Sequence, residues 1–173
     1  FSEKHNKTNK IVTVFIGDGT LGEGVVYEIL NIVSKWKLPL FIVVENNRYA
    51  QSTKIENSLA GKISDRFKAF GIDYEEIETF DVAKVSNLSA GLIEKVRQSG
   101  SPQALIVNTY RFASHSKSDD GRTKQEVDKW KVNDPLLIIE KRLKKDIVNN
   151  AQGSIRNFVS KEIEKAIVAP IAR

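Results

Sequence analysis

Two hydrophobic runs, each ending abruptly in a polar segment, constrain the fold of this chain most strongly. Residues 11–16 (IVTVFI) run directly into 17–19 (Gly-Asp-Gly), and residues 40–44 (LFIVV) into 45–47 (Glu-Asn-Asn). Between them, residues 24–37 carry apolar side chains at helical spacing. We therefore predict a strand–helix–strand unit, because neighbouring parallel strands need a crossover connection that is usually a helix.

The rest of the chain continues this alternation of strands and helices, which predicts an α/β fold with a mostly parallel sheet and helices on both faces. Further strands are predicted at 74–78 and 103–109, and further helices at 62–70, 81–98, 134–143 and 154–167. The side chains of the helix at 24–37 that we expect to face the sheet are Val25, Val26, Ile29, Ile32, Val33 and Trp36. Asp81 and Ser154 are the predicted caps of their helices, and residues 148–153 read as a flexible join.

The ends of the first two strands supply oxygen ligands of the kind that Mg²⁺ prefers. Asp18 offers a charged oxygen and Asn47 a neutral one, and Mg²⁺ usually combines one or two protein ligands with phosphate oxygens and water. Gly17 and Gly19 would allow a sharp turn and a close approach of the backbone to a phosphate. The helix that follows would direct its free N–H groups towards the same anion.

Each of these signals has a simpler interpretation when it stands alone. Asp18 could cap the following helix, and Asn46 and Asn47 could merely form a turn. Their positions at the carboxyl ends of two successive strands favour a ligand site, because ligands of parallel α/β sheets bind at that edge.

Gly-Asp-Gly followed one strand–helix–strand unit later by Asn-Asn resembles the thiamine diphosphate-binding motif. Residues 17–53 (GDGTLGEGVVYEILNIVSKWKLPLFIVVENNRYAQST) resemble the alpha subunit of 2-oxo acid dehydrogenases of the pyruvate or branched-chain type, which is the decarboxylating first component of those complexes. The resemblance implies that Asp18, Asn47 and the carbonyl of Tyr49 bind Mg²⁺. It also implies that the diphosphate lies against Gly17, Gly19 and Thr20.

Residues 110–121 (YRFASHSKSDDG) carry a second part of the resemblance. The positions that match the family pattern are Arg111, His115, Ser116, Ser118 and Asp119. Ser114 replaces the usual glycine before the histidine, and Ala113 replaces a residue that is often His or Gly. The resemblance implies that Arg111 orders the loop and contacts phosphate, and that His115 positions the substrate and assists transfer to the lipoyl group. Independently, a histidine can exchange a proton near neutral pH and an arginine fork suits phosphate.

The resemblance implies oxidative decarboxylation of a 2-oxo acid by Mg²⁺–thiamine diphosphate, followed by acyl transfer to a lipoyl arm. The expected partners are a beta subunit or fused beta domain, within a heterotetramer, and the lipoyl domain of the acyltransferase component. The chain would carry half of the site, since the beta subunit supplies the glutamate that activates the pyrimidine. The alternatives are another thiamine diphosphate enzyme, transketolase-like or a non-oxidative decarboxylase, and a non-catalytic module that retains the fold.

We expect residues 1–10 to form a leader or truncated segment, 11–147 the diphosphate-binding domain and 148–173 a C-terminal helical segment. The family's alpha subunit has a long segment before Gly-Asp-Gly, so the resemblance implies a fragment, a processed piece or part of a fused alpha–beta chain. His5 lies among polar residues and is expected to be solvated.

Composition excludes several classes of protein. The chain has no cysteine, and therefore neither disulfides nor thiolate metal sites. It has no apolar run of membrane-spanning length and no visible signal peptide. Its 27 Lys and Arg residues only modestly exceed its 22 Asp and Glu residues, so we predict no nucleic-acid partner. The expected location is the bacterial cytoplasm or an organelle matrix.

Overall fold

The computed structural model describes residues 1–117 and 120–171, which divide into two compact units. The first unit spans Phe1–Asn133, and the second begins at Asp134. The boundary predicted at 147/148 therefore falls inside the second unit. The assignment of residues 11–147 to cofactor binding stays a prediction.

The first unit contains six strands, six α-helices and one 3-10 helix within its described residues. The strands are β1 (Val12–Gly17), β2 (Leu40–Asn46), β3 (Tyr49–Ala50), β4 (Thr53–Lys54), β5 (Asp73–Glu78) and β6 (Gln103–Asn108). The α-helices are α1 (Ser2–His5), α2 (Gly24–Lys35), α3 (Ile55–Ser58), α4 (Ile63–Ala69), α5 (Val82–Ser99) and α6 (Lys124–Lys131), and the 3-10 helix is Asp18–Gly22. The four predicted long strands are all present.

Four strands form one parallel sheet in the order β1-β2-β6-β5. The central strands β2 and β6 contain uninterrupted apolar runs, which are buried over residues 41–44 and 104–106. Strands covered on both faces need such runs, whereas the edge strand β5 carries exposed acidic residues. A separate antiparallel pair, β3 with β4, makes a short hairpin after β2.

Helices cover both faces of the parallel sheet, which confirms the predicted fold class. On one face Leu30 and Val33 of α2 and Phe67 of α4 pack with Ile42 and Ile106 of the sheet. On the other face α5 contributes its own apolar residues. Leu92 and Val96 of α5 pack against the opposite side of β2 and β6, where they contact Phe41, Val43 and Leu105.

The ends of α4 and α5 follow the sequence prediction. The Asp81 carboxylate accepts a hydrogen bond from the Ala83 N–H (3.0 Å), which caps α5. Gly100 ends that helix with φ +63°, and Gly71 follows α4 with φ +64°. Glycine is favoured at both positions because left-handed backbone there costs it little.

The prediction of which side of α2 faces the sheet is partly wrong. Val26 and Val33 do face the core, together with Leu30, which the prediction omitted. The predicted core residues that are exposed instead are Val25, Ile29, Ile32 and Trp36. Both sides of α2 carry apolar side chains at helical spacing, so periodicity alone could not identify the buried side.

The second unit holds α7 (Pro135–Glu140) and α8 (Lys145–Val168). The Asp134 carboxylate accepts from the Leu136 N–H (2.8 Å), so α7 starts as predicted but ends before 143. The predicted join at 148–153 and the cap at Ser154 are wrong, because α8 runs through both. Asn and Gly are only weak helix breakers; an internal glycine costs about 1 kcal/mol relative to alanine.

No helix within the described parts of the chain is long and apolar enough to cross a membrane.

Candidate active site at the carboxyl end of the sheet

The predicted metal ligands lie at neighbouring positions on the carboxyl edge of the sheet. Gly17 pairs with Glu45 in the register of β1 and β2, so the chain leaves both strands at the same level. The β3–β4 hairpin then lies against the 3-10 helix, where Gly19 meets Ala50. The fold thus brings together the two polar segments that follow β1 and β2.

Asp18 is a buried carboxylate with one unused oxygen. The residue is only 2% exposed, and its Oδ1 accepts a hydrogen bond from the Gly19 N–H (2.9 Å). Its Oδ2 is buried and has no hydrogen-bond partner among the described residues. Burial raises the pKa of this carboxyl, while the backbone amides of Gly19 and Arg48 and the charge of Arg111 oppose that shift.

Asp18 does not cap a helix. It is the first residue of the 3-10 helix, and Gly17 is the residue before that helix. The N-cap of α2 is Glu23, which makes no side-chain capping bond. The simpler interpretation of Asp18 as a helix cap is therefore wrong.

The oxygen atoms available at Asp18 suit a cation such as Mg²⁺. A buried anionic oxygen without a partner is costly, and a cation would satisfy it. The described residues contain no group of three or more His, Cys, Asp or Glu side chains that could hold a metal. An ion at Asp18 would therefore need neutral protein oxygens and oxygens of a bound ligand, which is a usual arrangement for Mg²⁺.

Asn46 and Asn47 form consecutive side-chain turns. Asn46 Oδ1 accepts from the Arg48 N–H (3.1 Å), and Asn47 Oδ1 accepts from the Tyr49 N–H (3.1 Å). Arg48 adopts φ +72° at the centre of this bend. The turn interpretation is thus correct for the geometry, yet an amide oxygen has two lone pairs, and Asn47 keeps capacity for a further contact.

The sharp turn predicted at Gly17 is absent, whereas the predicted approach of a phosphate to Gly17 and Gly19 stays a prediction. Gly17 has φ −80° and open space around its Cβ position, so no sharp glycine-specific turn occurs there. A Cβ on Gly19 would lie 2.7 Å from Ala50 Cβ, so close packing requires this glycine. The 3-10 helix, with half-buried Thr20, lies between Gly17 and α2, and α2 begins at Gly24 as predicted.

Arg111 connects the loop after β6 with the β3–β4 hairpin. Its guanidinium donates to the carbonyl of Gln51 (2.5 Å) and to that of Ala113 (3.1 Å). Burial raises the pKa of Asp18, and the charge of Arg111 opposes that rise without cancelling it. His115 and Ser116 are exposed, and the predicted positions Ser118 and Asp119 lie outside the described residues.

Sequence reasoning missed Arg122, whose buried side chain donates hydrogen bonds to the backbone of this loop. Its side chain is only 3% exposed and pairs with Asp120 at 2.7 Å. It donates to the carbonyls of Arg111 and Ala113, the latter at 2.9 Å. The guanidinium also lies 5.2 and 5.3 Å from the ring centres of Tyr49 and Tyr110.

Helix α6, also missed, contributes two further residues to this region. Glu126 accepts hydrogen bonds from the hydroxyls of Tyr49 (2.5 Å) and Tyr110 (3.0 Å). Trp130 stacks on Tyr110 at 5.1 Å, and the Arg48 guanidinium lies 4.6 Å from its ring centre. Glu126 and Trp130 are four residues apart, so they share one face of the helix, and that spacing was the available signal.

The hydrogen bonds to α6 shift the ionisation of the groups involved. Those from Tyr49 and Tyr110 lower the pKa of Glu126, the larger effect coming from Tyr49. Burial, and then the bond to Glu126, raises the pKa of both tyrosines. Both phenols therefore stay protonated at neutral pH and act as donors to the ionised carboxylate.

Comparison with known proteins identifies a family. A family model described as "Dehydrogenase E1 component" matches residues 1–172. A pyruvate dehydrogenase E1 component subunit alpha from Rickettsia felis is 35% identical over 170 residues, which cover 96% of this chain and 50% of that protein. The mitochondrial subunit of the same name from Dictyostelium discoideum is 31% identical over 183 residues, covering 99% of this chain and 48% of that protein.

A solved transketolase from Leishmania mexicana superposes with a TM-score of 0.49 at 23% identity, over 57% of this chain and 15% of that one. The chain spans about half the length of the curated relatives named above.

Proposed function

The chain belongs to the dehydrogenase E1 component family, and we propose that it forms the part of an E1 alpha subunit that binds Mg²⁺–thiamine diphosphate. The observation that carries this proposal is the Asp18 carboxylate. It is buried, one of its oxygens has no partner among the described residues, and it lies where the segments after β1 and β2 meet. A divalent cation bridging this oxygen to a diphosphate would satisfy it.

In this proposal Asp18, Asn47 and the backbone carbonyl of Tyr49 bind Mg²⁺. The diphosphate lies against residues 17–20, which include Gly17, Gly19 and Thr20. When bound, thiamine diphosphate supplies the carbon nucleophile for the 2-oxo carbon and holds the electron pair that remains when CO₂ leaves. Asp18 would hold the metal, and its burial keeps water from competing for that oxygen.

Arg111 and His115 act on the open side of the same site. Arg111 contributes positive charge beside Asp18 and fixes the start of the loop through the carbonyl of Gln51. His115 is exposed, so it is accessible to an incoming substrate or lipoyl arm. We assign it the positioning of the 2-oxo acid and the movement of a proton during acyl transfer, a role suited to imidazole near neutral pH.

The proposed reaction is oxidative decarboxylation of a 2-oxo acid with acyl transfer to lipoyl, and pyruvate is the proposed substrate. Support for pyruvate comes from the curated relatives, which are named pyruvate dehydrogenase E1 alpha subunits. The proposed partners are a beta subunit or fused beta domain, which completes the site, and the lipoyl domain of an acyltransferase. We propose a bacterial cytoplasmic or organelle-matrix location.

Reductive acylation of a lipoyl domain tests this function. The chain, joined to the remaining part of an alpha subunit and assembled with a beta subunit, should add an acetyl group to a lipoyl domain when given pyruvate, Mg²⁺ and thiamine diphosphate. The isolated chain should show no turnover, and His115→Ala should show reduced transfer. Binding of the cofactor without any acylation would favour a non-catalytic module, and ketol transfer between sugars would favour a transketolase-like enzyme.

Robust decarboxylation by the isolated chain would contradict the half-site. Mass spectrometry of the lipoyl domain distinguishes the outcomes, because acetylation changes its mass directly. An assembly that lacks the lipoyl domain is the matched control, since it can bind pyruvate but has no acceptor.

A further inference from the structure

One carboxylate oxygen joins two loops that come from different strands. Glu126 Oε1 on α6 accepts from the hydroxyl of Tyr49 at 2.5 Å and from that of Tyr110 at 3.0 Å. Tyr49 lies two residues after Asn47 in the turn that follows β2. Tyr110 follows β6 and immediately precedes Arg111. The same oxygen therefore contacts one side chain from the turn after β2 and one from the loop after β6, and both segments carry candidate site residues.

The surroundings make these two hydrogen bonds strong. Tyr49 and Tyr110 are each only 5% exposed, and their rings pack edge to face with centres 6.1 Å apart. Trp130, one turn along α6 from Glu126, stacks on Tyr110 at 5.1 Å. A hydrogen bond to a charged acceptor in a partly dry environment contributes more than one in water. Loss of the acceptor would leave two buried phenol donors unpaired.

We propose that Glu126 is a positioning residue that couples the turn at residues 47–50 to the loop at residues 110–117. This inference rests on the proposed function, in which the Tyr49 carbonyl and Asn47 bind Mg²⁺ and Arg111 lies beside them. Glu126 touches neither metal nor cofactor. It acts through the two tyrosines, by holding the segment that presents the ligands and the segment that carries Arg111 and His115 in one relative arrangement.

Removal of the carboxylate should therefore loosen both segments together. In Glu126→Ala, amide hydrogen exchange should accelerate at 47–54 and at 110–117. The last turns of α5, residues 92–99, precede the start of β6 and so lie at the opposite edge of the sheet, and they should keep their protection. The concentration of Mg²⁺ that half-saturates thiamine diphosphate binding should rise about tenfold, the effect typical of losing an outer-shell partner of a metal ligand. Glu126→Gln should restore much of both effects, because its amide oxygen can still accept from the tyrosines.

Asp128 provides a matched control on the same helix. Its carboxylate is exposed and pairs with Lys131 at 3.4 Å. Asp128→Ala removes the same negative charge from the same helix as Glu126→Ala, and it should leave exchange at both segments and the Mg²⁺ requirement within about twofold of the parent, since a surface pair contributes little.

Single hydroxyl deletions keep the inference testable if Glu126→Ala does not fold. Tyr110→Phe retains the stacked ring and removes one donor, and coupling through Glu126 predicts faster exchange at 47–54 as well as at 110–117. Tyr49→Phe should likewise loosen both segments. All measurements use the assembled enzyme, with Mg²⁺ and thiamine diphosphate as the added probes.

The two proposals fail in different ways. If the assembled parent does not bind Mg²⁺–thiamine diphosphate, the proposed function is wrong, while exchange in the metal-free protein still tests the coupling. If the parent binds but Glu126→Ala has parental exchange and parental Mg²⁺ dependence, the positioning role is wrong. Loosening confined to the segment that carries each tyrosine substitution would also overturn it.

Discussion

Gly19 and Ala50 approach so closely that a Cβ added to Gly19 would lie 2.7 Å from the Cβ of Ala50. This contact joins the 3-10 helix after β1 to the hairpin after β2. Gly19 directly follows Asp18 in the chain, and Ala50 directly follows Tyr49 in β3. The geometry of the candidate site therefore depends on the absence of a side chain at residue 19.

Gly19→Ala should destabilise the fold by about 1–3 kcal/mol, because overpacking against Ala50 Cβ forces a backbone shift. Urea unfolding monitored by circular dichroism measures this cost. Gly22→Ala is the control, since a Cβ at Gly22 meets nothing within 4 Å. Restoration of stability in the double variant Gly19→Ala/Ala50→Gly would identify the contact as the cause. Equal stability of Gly19→Ala and Gly22→Ala would contradict it.

His115→Ala should reduce acyl transfer more than it reduces cofactor affinity. His115 is exposed and the proposed metal ligands do not include it, so the diphosphate remains anchored when the imidazole is removed. Acylation of the lipoyl domain and calorimetric binding of Mg²⁺–thiamine diphosphate, measured on the same assembled variant, separate the two effects. An unimpaired His115→Ala enzyme would remove the role assigned to this residue.

Cofactor binding should increase the protection of the loop at 110–121. Arg111 is held by two carbonyl oxygens, which leaves its charge uncompensated by those contacts. A nearby diphosphate would add an anionic partner for Arg111 and order the loop further. Hydrogen exchange of this loop in the assembled protein, with and without Mg²⁺–thiamine diphosphate, measures the change; equal protection in both states would argue against cofactor-driven ordering.

The contact between Asp120 and Arg122 should fail only in strong acid. The Arg122 guanidinium lowers the pKa of the Asp120 carboxyl from 3.8 to about 2. Because the folded protein has the lower pKa, this pair contributes its full stability above the ordinary value and loses it as the pH falls towards 2. An NMR titration of the Asp120 carboxyl should have its midpoint near 2, and Arg122→Met should return it to the ordinary range. A midpoint near 4 in the parent would show that the pair does not form in solution.

The parts of the fold that were predictable are those in which local pattern and tertiary environment agree. The apolar runs of β2 and β6 are buried on both faces, and uninterrupted runs of this length indicate such strands. Gly71 and Gly100 end their helices at left-handed positions that few other residues adopt at low cost. The meeting of the segments that contain Asp18 and Asn47 was predictable because parallel strands end at a common edge.

The errors arose where the sequence offers two solutions of similar quality. α2 has apolar side chains on two sides, and only the position of the neighbouring sheet and α4 decides that Leu30 is buried and Ile29 exposed. Residues 148–153 contain Asn and Gly, yet α8 continues through them because those residues cost a helix less than one broken hydrogen-bonded turn.

The contacts that Arg122 and Glu126 make with the loop at 110–117 and with Tyr49 were not predictable from a local sequence pattern. Arg122 and Glu126 lie in a mostly polar segment, and their partners Tyr49 and Tyr110 are distant in sequence. Their roles arise only when the end of β6 and the hairpin after β2 come together. The side chain of Arg122 is almost completely buried although its neighbours in sequence are mostly polar.

Calorimetric titration of thiamine diphosphate into the assembled protein tests the central claim most directly. We predict saturable binding that requires Mg²⁺, is largely abolished in Asp18→Ala and is weakened in Asn47→Ala, because the first variant loses the charged ligand and the second a neutral one. Asp128→Ala should bind like the parent, because Asp128 is exposed and is not among the proposed ligands. Binding that is independent of Mg²⁺, or parental affinity in both Asp18→Ala and Asn47→Ala, would contradict the metal and cofactor assignment.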